Sequence, residues 1–193
     1  IGAARFGKRG LLVLILFFLS GTLLFGADFS FTLDVAPQGF VPSGQSTELF
    51  SLGGGAALGA TFDFSSPWYL KTGLSYLYMP THGTIPLNLI AGSAGGGLRF
   101  DMGTLFTLRL GLFAGGFVGL YDSLIAYNPL AGAEAGLQVN LGGGFRLGLS
   151  GGYDYYVGTI LTEPDFSALS LLEGFNFSVG AYFVPVAGSG KDR

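Results

Sequence analysis

From residue 28 onward the chain alternates with a period of two, and each strand-like segment has one face of large aliphatic side chains and one of small or polar ones. In the segment 105–121, Leu108, Leu110 and Leu112 share one face and Arg109 lies on the other. Period two is the repeat of a β-strand, because successive side chains of a strand point to opposite sides of the sheet. The eight segments with this pattern span residues 28–41, 50–64, 68–79, 86–101, 105–121, 130–141, 145–157 and 171–184. The chain is therefore predicted to be all-β.

Within these segments, eight charged side chains share the face that lacks the large aliphatic residues. They are Asp34, Asp63, Lys71, Arg99, Arg109, Glu134, Arg146 and Asp154. A soluble barrel places charge on its outside and keeps its interior apolar. The opposite arrangement is expected where the outer solvent is hydrocarbon, in which a mid-bilayer Lys or Arg costs about 2–4 kcal/mol. We therefore predict a membrane barrel whose lumen holds a charge network of these residues, the four positive side chains neutralising the four negative ones.

The connections between the segments alternate between short and long. Residues 65–67, 102–104 and 142–144 are tight turns, and residues 42–49, 80–85, 122–129 and 158–170 are longer loops. Bacterial outer-membrane barrels show this asymmetry, with short periplasmic turns and longer outside loops. The first strand must pair with the last, because an open sheet edge would leave backbone groups unpaired in lipid. The fold class predicted is an eight-stranded antiparallel up-and-down transmembrane β-barrel.

Aromatic residues on the outward face concentrate at both ends of the predicted strands. Such residues form belts at the two interfaces of a bilayer. The belt beside the tight turns comprises Phe64, Trp68, Phe100, Phe106 and Phe145, and the belt toward the long loops comprises Tyr76, Tyr78, Tyr153 and Tyr155.

The N-terminal 27 residues are predicted to be a signal-peptide helix that is removed on export. Arg5, Lys8 and Arg9 precede an apolar run over 11–25, and the small residues Gly26 and Ala27 follow it. The uninterrupted run over 10–19 is shorter than the roughly 20 residues of a membrane helix, which disfavours a permanent anchor. The domains expected are the signal peptide over 1–27, the barrel over 28–184 and a C-terminal tail over 185–193.

The pattern over residues 28–184 resembles that of small outer-membrane barrels of the OmpA-like and OmpW-like kind. Terminal strands in that group end in aromatics that the barrel-insertion machinery reads, and Phe175, Phe177, Tyr182 and Phe183 look like this signal. The resemblance implies a location in the bacterial outer membrane, with outer-membrane lipid and the insertion machinery as partners. We expect a monomer.

Two hypotheses for function follow from the predicted lumen. An eight-stranded barrel is only wide enough for its own side chains or one small ligand, so a general porin is excluded. The charged residues near the tight turns predict a largely plugged lumen and a structural or surface-exposed role. Toward the long loops the inward face becomes apolar, and the alternative is a pocket that binds or takes up a small hydrophobic ligand, as an OmpW-like resemblance implies. Its lining would comprise Leu77, Leu89, Phe113, Phe117, Tyr121, Leu130 and Tyr156.

Other function classes find little support in the sequence. Lipid-modifying barrels need a nucleophile and a histidine, but the sole histidine, His82, lies in a loop with nothing to fix its distance from a serine. We expect no enzyme activity and no catalytic residue. With no cysteine and one histidine, we expect no metal and no cofactor. Nucleic-acid binding is disfavoured because 9 basic residues face 12 acidic ones.

Overall fold

The computed structural model describes residues 29–65, 67–83, 85–121, 124–163 and 166–184. It describes the side chains of these residues except 29, 124, 126, 159–163 and 166–170. The signal peptide predicted over 1–27 and the tail predicted over 185–193 lie outside the described residues.

Eight antiparallel strands form a closed barrel in which each strand pairs with the next along the chain and the first pairs with the last. The strands are β1 (Phe29–Pro42), β2 (Gly53–Phe64), β3 (Trp68–Met79), β4 (Leu87–Met102), β5 (Phe106–Tyr121), β6 (Leu124–Gly142), β7 (Phe145–Glu163) and β8 (Phe166–Phe183). The predicted all-β, eight-stranded up-and-down barrel is thereby confirmed. In the part of the chain that the structure describes, no helix has the length and hydropathy to cross a bilayer.

The connections at one end of the barrel, here called the tight-turn end, are only a few residues long. Gly103 has φ +68° between β4 and β5, and Gly143 and Gly144 have φ +60° and +79° between β6 and β7. This left-handed region is accessible to glycine at no steric cost, which explains why glycines occupy these turns. The opposite end, the loop end, carries a first loop over residues 43–52 that contains a short 3-10 helix, Gly44–Glu48.

Two of the predicted long loops are instead mostly strand. The loop expected over 122–129 shrinks because β6 begins at Leu124, and the loop expected over 158–170 shrinks because β7 and β8 continue to Glu163 and from Phe166. Antiparallel pairing extends each hairpin, with Tyr121 opposite Leu124 in one and Glu163 opposite Phe166 in the other. Pro129 lies within β6, opposite Gly116 of β5 and one residue before the first described pair of the β6–β7 ladder.

The barrel has an apolar outer wall and a mixed interior. Exposed aliphatic side chains, among them Leu58, Leu74 and Leu112, project from the middle of their strands. The side chains at the alternate strand positions point into the bore, and many of them are buried. Exposing large aliphatic residues while burying carboxylates and an arginine reverses the usual distribution in soluble proteins.

Candidate functional site: the layered lumen

A charged layer, defined by Asp63, Arg99 and Arg109, fills the bore near the tight-turn end. The register of β4 and β5 sets Arg99 directly opposite Arg109, and two like charges in that position repel. The Asp63 carboxylate from β2 resolves this, because its Oδ2 lies 2.5 Å from Arg109 Nη2 and its Oδ1 lies 3.7 Å from Arg99 Nη1. Arg99 Nε also lies 3.1 Å from Oδ2 of Asp101, which is half exposed at the barrel end. Asp63 and Arg109 are both buried.

Tyr69 supports this layer, although the pattern analysis did not single it out as a site residue. Its ring lies beneath the guanidinium of Arg109, with 5.6 Å from Arg109 Cζ to the ring centroid. This distance is within the range of a cation–π contact. Tyr69 also donates a hydrogen bond of 3.4 Å from its hydroxyl to Glu134 Oε1, which links the charged layer to the next ion pair.

A second ion pair crosses the bore between strands that are not neighbours. Lys71 Nζ in β3 lies 2.6 Å from Glu134 Oε2 in β6. Both side chains are partly exposed inside the lumen. The pair ties opposite walls of the barrel together.

The remaining three predicted network members do not join these pairs. Asp154 accepts hydrogen bonds from Asn176 Nδ2 and from the Tyr156 hydroxyl, the latter at 3.4 Å. Asp34 is buried, and its Oδ1 receives no hydrogen bond from any described group. Arg146, at the tight-turn end, forms no ion pair with any carboxylate among the described side chains. Five of the eight charged side chains are therefore in ion pairs with one another, and Asp34, Asp154 and Arg146 form none with the described side chains.

An apolar layer fills the bore toward the loop end. It is a single cluster of buried side chains, comprising Phe40, Phe50, Leu77, Met79, Leu87, Leu89, Ala91, Phe117, Tyr121, Leu130, Tyr156 and Leu172. Six of the seven residues proposed to line a pocket belong to this cluster, and the seventh, Phe113, packs against it. The Tyr156 ring packs edge-on against Phe117, with centroids 5.1 Å apart, and against Phe40 at 6.0 Å. The structure thus brings the predicted pocket residues together as a packed layer.

The first loop folds over this apolar layer. Phe50 is buried in the cluster and Leu49 packs against it. Ser46 fixes the 3-10 helix to β8 by accepting a hydrogen bond of 3.1 Å from the Glu173 backbone N–H. His82, the one histidine, donates from its backbone N–H to Leu49 O at 2.9 Å, and its ring Nδ1 lies 2.9 Å from Glu48 O. Its described hydrogen bonds are therefore to the loop backbone.

A cavity of about 110 Å³ lies between the charged and the apolar layer. Asp34, Asp154 and the Lys71–Glu134 pair border it, and Phe113 lines it as well. A smaller cavity of about 20 Å³ continues toward Arg109 and shares Lys71 and Glu134 with the first. The three-ligand clusters of His, Cys, Asp or Glu that a metal ion needs do not occur among the described residues.

The predicted aromatic belts lie on the outer wall. At the tight-turn end Trp68, Phe100 and Phe106 are exposed, Phe64 is half-buried, and half-buried Phe145 packs on Phe183 with centroids 5.3 Å apart. At the loop end the exposed members are Tyr76, Tyr78 and Tyr155. Tyr153 is half-buried between Tyr155 and Phe175, with both ring centroids at 4.9 Å. Phe175, Phe177 and Tyr127 are exposed on the same wall and extend the belt at the loop end.

A closed eight-stranded antiparallel barrel with an apolar outer wall is the fold of the small bacterial outer-membrane β-barrels. Solved structures share this fold with the chain. Neisserial surface protein A matches with TM-score 0.56 and 12% identity over 82% of this chain and 98% of its own. OprG from Pseudomonas aeruginosa matches with TM-score 0.54 and 9% identity over 82% of this chain and 96% of its own. No family model matches the sequence, and no curated protein is detectably similar to it.

Proposed function

We propose that the chain is a monomeric bacterial outer-membrane protein whose lumen is closed by its own side chains, with a structural or surface-exposed role and no catalysis. Its signal peptide would export it, and the barrel-insertion machinery would read Phe175, Phe177, Tyr182 and Phe183 in the last strand. The outer-membrane location is supported by the fold shared with known outer-membrane barrels and by the exposed aliphatic wall.

The observation that carries the closed lumen is the pair of stacked layers. An ion crossing the bore would have to displace the Asp63–Arg109 ion pair and then the buried rings of Phe117 and Tyr156. The larger cavity, of about 110 Å³, lies between these layers, and the smaller one, of about 20 Å³, lies toward Arg109. Lys71 and Glu134 line both cavities. Such a bore agrees with the narrow interior expected of eight strands.

The alternative function is binding or uptake of a small hydrophobic molecule from the loop end. The observation in its favour is that the lumen is apolar there, from Phe113 up to Phe50. The tight packing of the cluster supports the closed lumen over this alternative, because a ligand would have to displace side chains that are fully buried.

Planar-bilayer recording of the refolded protein tests the closed lumen. We expect no stable unitary conductance steps from a sample whose heat-modifiable gel mobility shows a folded barrel. A double variant, Asp63→Ala with Phe117→Ala, weakens both layers and is expected to produce brief steps. Stable steps from the unaltered protein would contradict the proposal. Saturable binding of a fluorescent fatty acid that Phe117→Trp abolishes would favour the alternative.

A further inference from the structure

The cavity between the two layers is large enough for more than ordered water. It measures about 110 Å³. About 10–15 Å³ of such space suffices for one water molecule, so the cavity has room for a small organic molecule.

The charges around this cavity do not balance among the described residues. Asp34, Glu134 and Asp154 border it, and Lys71 is the cation among its lining residues. Glu134 already holds Lys71 at 2.6 Å. Two carboxylates therefore remain without a cationic partner, and their field favours a positive ligand.

Asp34 is the group that most needs such a ligand. It is only 8% exposed, it lines the cavity, and its Oδ1 has no hydrogen-bond partner among the described groups. Its ladder neighbour on β2 is Gly59, which offers no side-chain donor. Burying a carboxylate oxygen without a donor is unfavourable, and a cationic N–H donor in the cavity would relieve it.

The side of the cavity toward the loop end is apolar. Phe113, Leu130 and the ring of Tyr156 line it there, and they belong to the apolar layer or pack against it. The cavity thus has a polar side around Asp34 and a side toward the loop end, where apolar side chains surround the hydrogen-bonded Asp154. A fully hydrated metal ion would match the first side and not the second.

We propose that this cavity is a binding site for a compact organic ammonium ion, such as a short primary alkylamine. The ammonium group donates hydrogen bonds to Asp34, and the alkyl part extends toward Phe113. Access is from the loop end and requires the apolar layer to open transiently, because the tight-turn end carries Arg99, Arg109 and Arg146 against fewer carboxylates and repels a cation. Binding at this site requires no passage through the charged layer, so it is independent of whether the bore conducts.

Isothermal titration of the folded full chain in zwitterionic detergent micelles, with n-butylammonium chloride as the probe, tests the site. We expect saturable binding after subtraction of a micelle-only blank. Asp34→Asn keeps the side-chain shape and removes the charge, and we expect it to weaken binding tenfold or more. The matched control is Asp101→Asn, which removes a half-exposed carboxylate outside the cavity and should leave binding unchanged.

Ala36→Leu provides a second test that does not alter charge. Ala36 lines the cavity and is buried, so the larger side chain fills space that the ligand needs. Loss of binding in both variants, with heat-modifiable mobility retained, supports the proposal. The proposal is overturned if n-butanol, sodium chloride or magnesium chloride binds as well as the amine, if the folded protein takes up no amine, or if either variant leaves binding unchanged.

Discussion

At its tight-turn end the bore is filled by two arginines around one carboxylate, whereas at its loop end it is filled by aliphatic and aromatic side chains. The first layer contains Asp63 between Arg99 and Arg109. The second contains residues such as Leu89 and Phe117, both almost fully buried. Both layers lie within the same cylinder of backbone, so their different chemistry comes mainly from which strand side chains point inward, with Phe50 of the first loop added to the apolar layer.

The comparison shows that substitutions destabilise the two layers for different physical reasons. In the charged layer each group depends on its partner, and removing one partner leaves an uncompensated buried charge. In the apolar layer the loss scales with the volume removed, and a substitution that conserves volume is tolerated. The charged layer is therefore the more sensitive to a single change of residue type.

Removing the shared carboxylate is expected to have the largest effect. Asp63→Ala leaves both Arg99 and Arg109 without their central anion, and we expect the free energy of unfolding to fall by about 3–5 kcal/mol. Urea unfolding in phospholipid vesicles, followed by the fluorescence of Trp68, measures this. Asp101→Ala is the control, because its pair with Arg99 is at the surface and should contribute about 0–1 kcal/mol. Equal losses in the two variants would contradict the distinction between buried and rim carboxylates.

In the apolar layer, shortening a side chain is expected to lower the free energy of unfolding, whereas changing its shape at constant volume is expected to change it little. Leu89→Ala should lower the free energy of unfolding by about 2–5 kcal/mol, because a cavity is left where the side chain packs. Leu89→Met, which keeps the volume, should cost less than about 1.5 kcal/mol. The same urea titration compares the two. If methionine were as damaging as alanine, the apolar layer would not behave as a packed core.

The comparison of layers also assumes that lipid surrounds the outer wall. A charged side chain introduced on that wall tests this assumption. Leu112 is 71% exposed at the middle of β5. Leu112→Arg is expected to reduce the stability of the inserted barrel by about 2–4 kcal/mol. Leu52 is similarly exposed, at 62%, but lies in the first loop outside the strands, so Leu52→Arg should change stability by less than about 1 kcal/mol. Equal tolerance at both positions, measured by refolding yield into vesicles, would place the wall in water.

The alternation of side chains was enough to predict the barrel, its strand count and the inward direction of its charges. It could not predict how far the β5–β6 and β7–β8 hairpins continue. Pro129 and the polar residues after Gly158 are typical of loops, but cross-strand pairing decides where a hairpin ends, and the sequence does not state the register.

The lumen contacts were predictable only in part, because they join strands that are distant in sequence. Lys71 and Glu134 are each visible as inward charges, yet nothing in the pattern says that they meet across the bore. Tyr69 has the same parity as Lys71, but its place under Arg109 depends on the curvature of the closed sheet. The role of Phe50 was missed because the pattern placed it at the start of the second strand segment, 50–64, whereas β2 begins only at Gly53 and Phe50 belongs to the first loop. The 3-10 helix was missed because residues 42–49 have no period that would indicate it.

The unequal strand lengths make the barrel taller on one side. β6 and β7 have 19 residues each and β2 and β3 have 12 each. At about 3.3 Å per residue and a tilt of about 40°, the longer strands rise about 45–50 Å along the axis, well beyond an apolar band of about 25 Å. At the loop end, the wall of the barrel is therefore high on the side of β6 and β7 and low on the side of β2 and β3. With the loop end on the cell surface, as the loop lengths predict, a soluble macromolecule that approaches the cell meets the β6–β8 flank first, and antibodies raised against intact cells should map mainly to that flank.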